Sequence, residues 1–403
     1  MVAASSLVLT IFMMTTALAN LFGVGGGSLV VRLLGKGDEE EARKTASLSL
    51  VMATGAALLF SILCLIFMNP LLRLLGASDN TIGYAKQYLL FVVVIGGIPT
   101  VLANTMSSMV RNIGYSKEAG FGLGMGGLLN VILDPIFMFV IFQDGYQVMG
   151  AAVATMLSNL ITMLYFVFVY RKLKENTVLS LPRSIEKIRQ DSMKSLFSVG
   201  VPAAMSVLLF DLTNIVINRL ASGHGDIELA AIGIVLKVER LPLNIGIGIC
   251  LGMMPLAAYN YAAKNYKRMK EFFGTARIVG LVISVCCVIL YRIFAPYIMQ
   301  AFIADEDTIR YGTEFLRVRC FATPFMFLSF HMVHFMQAVD RGKLSFYLAV
   351  IRQLCLNIPI LFLLNALFGM IGIVWTQTIA DIINVIISYM IYNKVIGNIQ
   401  NKT

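Results

Sequence analysis

The chain has 403 residues, 58% hydrophobic and 13% charged, about half the charged share of a soluble domain, which excludes a water-soluble globule and describes a polytopic membrane protein. Its net charge of +10 is spread over short loops between apolar runs, so it implies a lipid bilayer as partner and no nucleic acid. Cys64, Cys250, Cys286, Cys287, Cys320 and Cys355 all fall in apolar segments without CxxC or metal-ligand spacing, so they read as core residues, with no metal or cofactor implied.

A spanning helix takes about 20 mostly apolar residues. In chain order the expected spans are residues 3–33, 45–70, 84–110, 119–142, 149–171, 194–219, 228–260, 272–299, 311–338, 344–367 and 371–393. The polar stretch 172–193, with a central proline, divides an N-terminal lobe (1–171) from a C-terminal lobe (194–403). Lys and Arg crowd residues 35–44, 111–117, the linker, 263–270, 340–343 and the C-terminal tail, while the alternate loops are poor in them. The positive-inside rule makes the first set cytoplasmic, and with it the C-terminus of a multi-pass protein of the cell membrane.

The chain repeats itself. Lys36-Gly37-Asp38 pairs with Lys264-Asn265-Tyr266, and Pro99 with Pro324. Gly114–Lys117 pairs with Asp340–Lys343, Pro135 with Pro359, and Gly150–Thr155 with Gly372–Gln377. Residues 194–229 have no partner. The expected ancestral unit is six helices, doubled, with this chain beginning at the second of twelve. Six helices return the chain to its starting side, so the repeats are parallel and related by a pseudo-two-fold axis along the membrane normal. Substrate and ion sites in such proteins lie near the midplane.

Within residues 119–142 stands Asn130-Val-Ile-Leu-Asp134-Pro135. A charged group inside a span costs about 2.5–3.5 kcal/mol on insertion scales and marks a functional site by default. Proline removes a helix hydrogen bond and kinks the helix. Asn130 and Asp134, four residues apart, share a helix face. The stretch reads as a cation or proton site on an internal cavity; the alternative is a polar packing contact or a frayed helix end.

The GVGGGSLVVRLLGKGDEEEARK stretch, the NVILDPIFMF helix, the GAAVAT helix start and PLAAYNYAAKNYKRMK resemble the multidrug and toxic compound extrusion (MATE) family over essentially the whole chain. The resemblance implies an all-α fold of two six-helix bundles in a V, here 5+6 helices. It implies a monomeric membrane antiporter, not an enzyme, that exports cationic amphipathic drugs in exchange for H⁺ or Na⁺. It carries the family's N-lobe cation site to Asn130, Asp134 and Thr155, which in the family work with an aspartate on the first helix. Some members use an acidic residue on the seventh family helix, where Asp211 stands; their second acid falls near Ser329, which is not acidic. A lipid-linked oligosaccharide flippase of the same superfamily is the alternative. Motifs of membrane-embedded enzymes such as HExxH and GxSxG are absent from the sequence.

Other polar residues in apolar runs have two readings each. Asp211, Asn214 and Asn218 share one helix face, as a cavity stripe or as interhelical hydrogen bonds. Glu239 reads as a cavity or second-site residue, or as one of a group with Lys237 and Arg240 snorkelling to the interface. His331 and His334, three apart, lack a third ligand and read as packing residues rather than a metal site. Pro99, Pro135, Pro324 and Pro359 are expected helix kinks.

Overall fold

The computed structural model describes residues 2–142, 145–181 and 188–400. The linker's central proline, Pro182, and residues 183–187 lie outside the described residues. The fold is α-helical, with no strand among the described residues, and contacts divide the chain into Met1–Leu208 and Leu209–Thr403.

The first unit holds α1 (Val2–Gly35), α2 (Glu39–Ile66), α3 (Met68–Leu74), α4 (Asp79–Leu89), α5 (Gly97–Asn112), α6 (Ser116–Pro135), α7 (Gln147–Leu173) and the start of α8 (Gln190–Ala221). The second holds the rest of α8, α9 (Asp226–Ala262), α10 (Tyr266–Phe302), α11 (Glu306–Arg319), α12 (Thr323–Ala338), α13 (Gly342–Val350), α14 (Ile358–Phe368) and α15 (Met370–Gln400). Among the described residues nine helices are long and apolar enough to span a membrane, or ten if α4 and α5, bent by 44° at their junction, count as one. The expected run 311–338 is not one apolar span. It is α11, a 3₁₀ turn at Cys320–Ala322, and α12, because Glu314, Arg317 and Arg319 interrupt its apolar face.

The four prolines mark changes of helix type. Pro99 follows a π-helix at Leu90–Ile95, Pro324 follows the 3₁₀ turn, and Pro359 follows a π-helix at Ile351–Asn357. Each lies in the first turn of its helix, where an N–H would have no intrahelical acceptor. Pro135 instead ends α6 and precedes a π-helix at Ile136–Ile141.

The two halves repeat local geometry as well as sequence. Gly37 and Lys264 are left-handed (φ 78° and 59°), as are Gly114 and Asp340 (φ 101° and 59°). Asp38 and Asn265 then cap α2 and α10, accepting from the N–H groups of Glu41 and Arg268. Geometry thus pairs Gly37 with Lys264 and Asp38 with Asn265, one residue away from the sequence pairing. A Cβ on Gly150 would lie 2.6 Å from the Phe137 carbonyl, and one on Gly372 would overlap that of Leu364. In both halves a bare glycine backbone lets the last helix seat on the preceding segment.

The linker does not separate two autonomous halves. Val178 and Leu179 are buried in the first unit's core with Leu196 of α8. Arg189 donates its backbone N–H to Glu41 Oε1 (2.8 Å) and its guanidinium bonds Asp38. Arg32 of α1 donates to Ser195 Oγ at 2.8 Å. A Cβ on Gly200 would overlap the Leu21 carbonyl. The start of α8 therefore packs into the first unit, and the compact boundary falls at residue 208 rather than in the linker.

Two outcomes follow for thermal unfolding in detergent. Gly200→Ala destabilises by about 1–3 kcal/mol through overpacking, whereas Gly55→Ala, which meets open space, does not. The Arg189 guanidinium holds the Asp38 carboxyl below the usual carboxylate range. Its stabilisation is therefore present above the unfolded-state pKa of about 4 and lost as pH falls through the folded-state value. Wild type melts above Arg189→Gln at neutral pH, and the gap closes on strong acidification.

Candidate functional site

In the first unit α6 and α7 bring three of the expected residues together. Asn130 Nδ2 donates to Asp134 Oδ1 (3.0 Å) and to Thr155 Oγ1 (3.3 Å). Thr155 in turn donates to the Ala151 carbonyl (3.0 Å). Tyr88 of α4, which sequence reasoning missed, lies near Thr155 and Asp134. All four are half-buried. Pro135, next in the chain, has no N–H for the Val131 carbonyl, and the backbone passes into a π-helix there. Among the described residues Asp134 has no cationic partner. The arrangement gathers a carboxylate, a phenol, an amide and a hydroxyl beside a break in the helix. It has the donor and acceptor set to hold a proton or a small cation.

In the second unit the expected residues divide. Asp211 Oδ1 faces Arg240 Nη2 at 3.8 Å, and Asn214 lies one turn on, half-buried. Glu239 points elsewhere and pairs with Arg319 of α11, Nε to Oε2 2.7 Å, both buried. The snorkelling alternative fails for Glu239, while Arg240 is exposed. Glu239 lines a pocket with Pro242, Gly246, Thr323, Phe327 and Phe330. Its Oε1 and Thr323 Oγ1 have no hydrogen-bond partner among the described residues. His331 is buried with its ring 4.2 Å from that of Phe273, and His334 donates Nδ1–H to the Phe330 carbonyl (2.8 Å). Among the described residues no three His, Cys, Asp or Glu side chains converge as metal ligands.

The densest polar cluster was not anticipated. Asp381 of α15 is 0% exposed and Arg352 3%. Arg352 Nε and Nη2 reach Asp381 Oδ1 and Oδ2 at 2.5 and 3.1 Å. Gln377 Nε2 donates to Asp381 Oδ2 (2.6 Å) and Asn357 Nδ2 to Gln377 Oε1 (3.0 Å). Thr213 of α8 donates to Gln353 Oε1 (3.0 Å). Asn384 Nδ2 donates to Ser329 Oγ (3.0 Å), which lies 3.5 Å from Asp381 Oδ1. An ionisable residue inside an apolar run, the signal that picked out Asp134, was present at both Arg352 and Asp381.

Two helical units with repeated local geometry, each enclosing polar groups within apolar spans, are the build of a membrane transporter. Comparison with known proteins gives the family. The MatE profile matches residues 1–136 and 202–363. The multidrug export protein MepA of Staphylococcus aureus (strain MSSA476) is 30% identical over 382 residues, covering 94% of this chain and 83% of that protein. MepA of Staphylococcus haemolyticus (strain JCSC1435) is 30% identical over 381 residues, 94% and 82%. A crystal structure of MATE in the straight conformation superposes with a TM-score of 0.91 at 22% identity, covering 99% of this chain and 88% of that one. A MOP superfamily transporter from Pyrococcus furiosus Vc1 superposes at 0.85 and 23%, covering 96% and 87%. The chain belongs to the MatE family.

The Glu239–Arg319 pair sets a test of its own. Truncating one partner leaves a buried charge uncompensated, at about 3–5 kcal/mol. Glu239→Ala therefore lowers thermal stability strongly, and the double variant Glu239→Gln, Arg319→Met recovers most of the loss.

Proposed function

We propose that this protein exports cationic, amphipathic small molecules across the cell membrane in exchange for H⁺ or Na⁺. It works as a monomer with its C-terminus in the cytoplasm and needs no cofactor. The observation that carries this reading is the Asn130–Asp134–Thr155 cluster beside the Pro135 helix break. The multidrug export relatives agree with it. Asp134 is the coupling carboxylate. Charged, it accepts from Asn130; loaded with a proton or cation, it loses or redirects that bond, and the segment around Pro135 repacks. Tyr88 and Thr155 hold the other side of the site.

Cargo and coupling ion need not touch. Each has only to favour a different conformation, and their antagonism is the difference in affinity between states. Asp211, Asn214 and Glu239 are the candidate second-site residues, with the faces of Phe327 and Phe330 beside Glu239.

The test is ion-gradient-driven efflux of a fluorescent organic cation from proteoliposomes. Asp134→Asn, isosteric and permanently neutral, is expected to lower accumulation about tenfold or more, within the usual range of coupling free energies. Wild-type, ion-dependent efflux in that variant overturns the role given to Asp134.

A further inference from the structure

The second unit carries a buried polar cluster that shares one position of the internal repeat with the first unit's site. Thr155 corresponds to Gln377 in the repeat of Gly150–Thr155 with Gly372–Gln377. In the first unit an asparagine near the repeated proline donates to Thr155 (3.3 Å). In the second, Asn357, two residues before Pro359, donates to Gln377 (3.0 Å). The pairing of Pro135 with Pro359 sets Asn130 opposite Leu354 rather than Asn357, so an asparagine reaches the last helix of each half from a different register position. One turn beyond Gln377 on α15 stands a carboxylate, Asp381, whereas Asp134 stands on α6, the helix before the one that carries Thr155.

We propose that Asp381 is a second proton-coupling carboxylate, held by Arg352 in the present conformation and released from it when a proton arrives. This deepens the reading of the protein as an ion-coupled exporter and rests on it. The step balances simply. A proton bonds to a carboxylate oxygen of Asp381, the Arg352 Nε–H contact to Oδ1 opens, and Arg352 keeps its charge, so the pair passes from net zero to +1.

Three observations favour a working site over a static clamp. A buried ion pair is poor for stability compared with apolar packing, so its presence inside a membrane span calls for a role. Arg352, Gln353 and Asn357 all lie on the π-helix Ile351–Asn357, a local unwinding common at functional sites. And the cluster holds spare acceptors. Asn357 Oδ1 and Asn384 Oδ1 are buried without a hydrogen-bond partner among the described residues. Both asparagines belong to the same hydrogen-bonded network as Asp381, Asn357 through Gln377 and Asn384 through Ser329.

The proton, rather than a metal ion, suits the donor set. Asp381 faces N–H groups of Arg352 and Gln377 and the hydroxyl of Ser329, not a shell of oxygens.

The charged and titratable groups on the surrounding elements are engaged elsewhere. On α8 Asp211 faces Arg240. On α9 and α11 Glu239 and Arg319 hold each other. On α12 His331 stacks on Phe273 and His334 bonds the Phe330 carbonyl. Arg277 of α10 donates to Tyr389 Oη (2.5 Å), Cys355 on the π-helix is exposed, and α14 carries no charged residue. Arg352, whose guanidinium also lies 4.6 Å from the Phe330 ring centroid, is the charge in contact.

The chain provides its own reporter. Trp375, the single tryptophan, stands on α15 just before Gln377 and stacks against Phe321. The full chain in lipid nanodiscs is titrated from alkaline to acid while Trp375 emission is followed. The forms compared are wild type, Asp381→Asn, the doubly neutral Asp381→Asn, Arg352→Gln, and Asp134→Asn. The expected result is an acid-side emission step in wild type and Asp134→Asn that is lost in both Asp381 forms. In proteoliposomes, pH-driven accumulation of a fluorescent cation falls about tenfold or more in the double variant, while its melting temperature stays near wild type.

If wild type shows no step, or the step persists without Asp381, the proposal is overturned. It is overturned equally if the double variant accumulates cargo as wild type does, since a packing clamp alone predicts that rescue. Should Asp381→Asn alone fail to fold, the double variant carries the test. If wild type moves no cargo, the export reading fails, and the Trp375 titration still decides Asp381.

Discussion

Inside hydrocarbon a polar group has no water to fall back on, so each one must be met by the protein itself. That constraint shapes both units. Where Pro242 offers no N–H to the Val238 carbonyl, the Tyr291 hydroxyl of α10 donates to it instead, at 3.0 Å. Glu239, the residue after Val238, is met by Arg319, and Asp381 by Arg352, Gln377 and Ser329. Asp134 is met by one neutral amide, that of Asn130, where the helix changes type.

Much of the fold was legible in the sequence because apolar run length and loop charge are strong, local signals. Ten of the expected runs correspond to single or bent spanning helices. The exception, residues 311–338, fails because buried Arg319 and its neighbours Glu314 and Arg317 belong to an amphipathic helix, α11, whose charge is compensated from α9 rather than along its own sequence. The linker was read as a separator from its polarity. Val178, Leu179 and Leu196 are buried together in the first unit's core: a few apolar residues decide where a polar segment packs.

At the site, Asn130 and Asp134 were legible because their spacing is a property of one helix. Tyr88 was not, since only tertiary packing brings α4 against α7. Arg352 and Asp381 lie on different elements, and two lone charges in two runs become informative only once they are seen to face each other. Glu239 and Arg240, adjacent in sequence, illustrate the reverse. Helical rotation sends them to different partners, Arg319 and Asp211.

The internal repeat survives as geometry where residue identity has drifted. Gly37 and Lys264 share a left-handed backbone although only one is glycine. Thr155 and Gln377, at one repeat position, each accept from an asparagine, Asn130 and Asn357, although the two asparagines stand at different register positions. What duplication preserved is the set of places where the backbone must turn, approach closely or be satisfied.

Helices α9 and α10 contain 37 residues each. At about 1.5 Å per residue each is roughly 55 Å long, against a hydrocarbon thickness of about 30 Å. An upright hairpin of this length carries several turns clear of the acyl chains. Its tip, Ala263–Asn265, is followed at once by Lys267, Arg268 and Lys270. The two helices join the core of the second unit to this charged tip, with Pro242, Pro255 and Pro296 along the way. A binder gripping that tip would act on the transporter's interior without entering the bilayer.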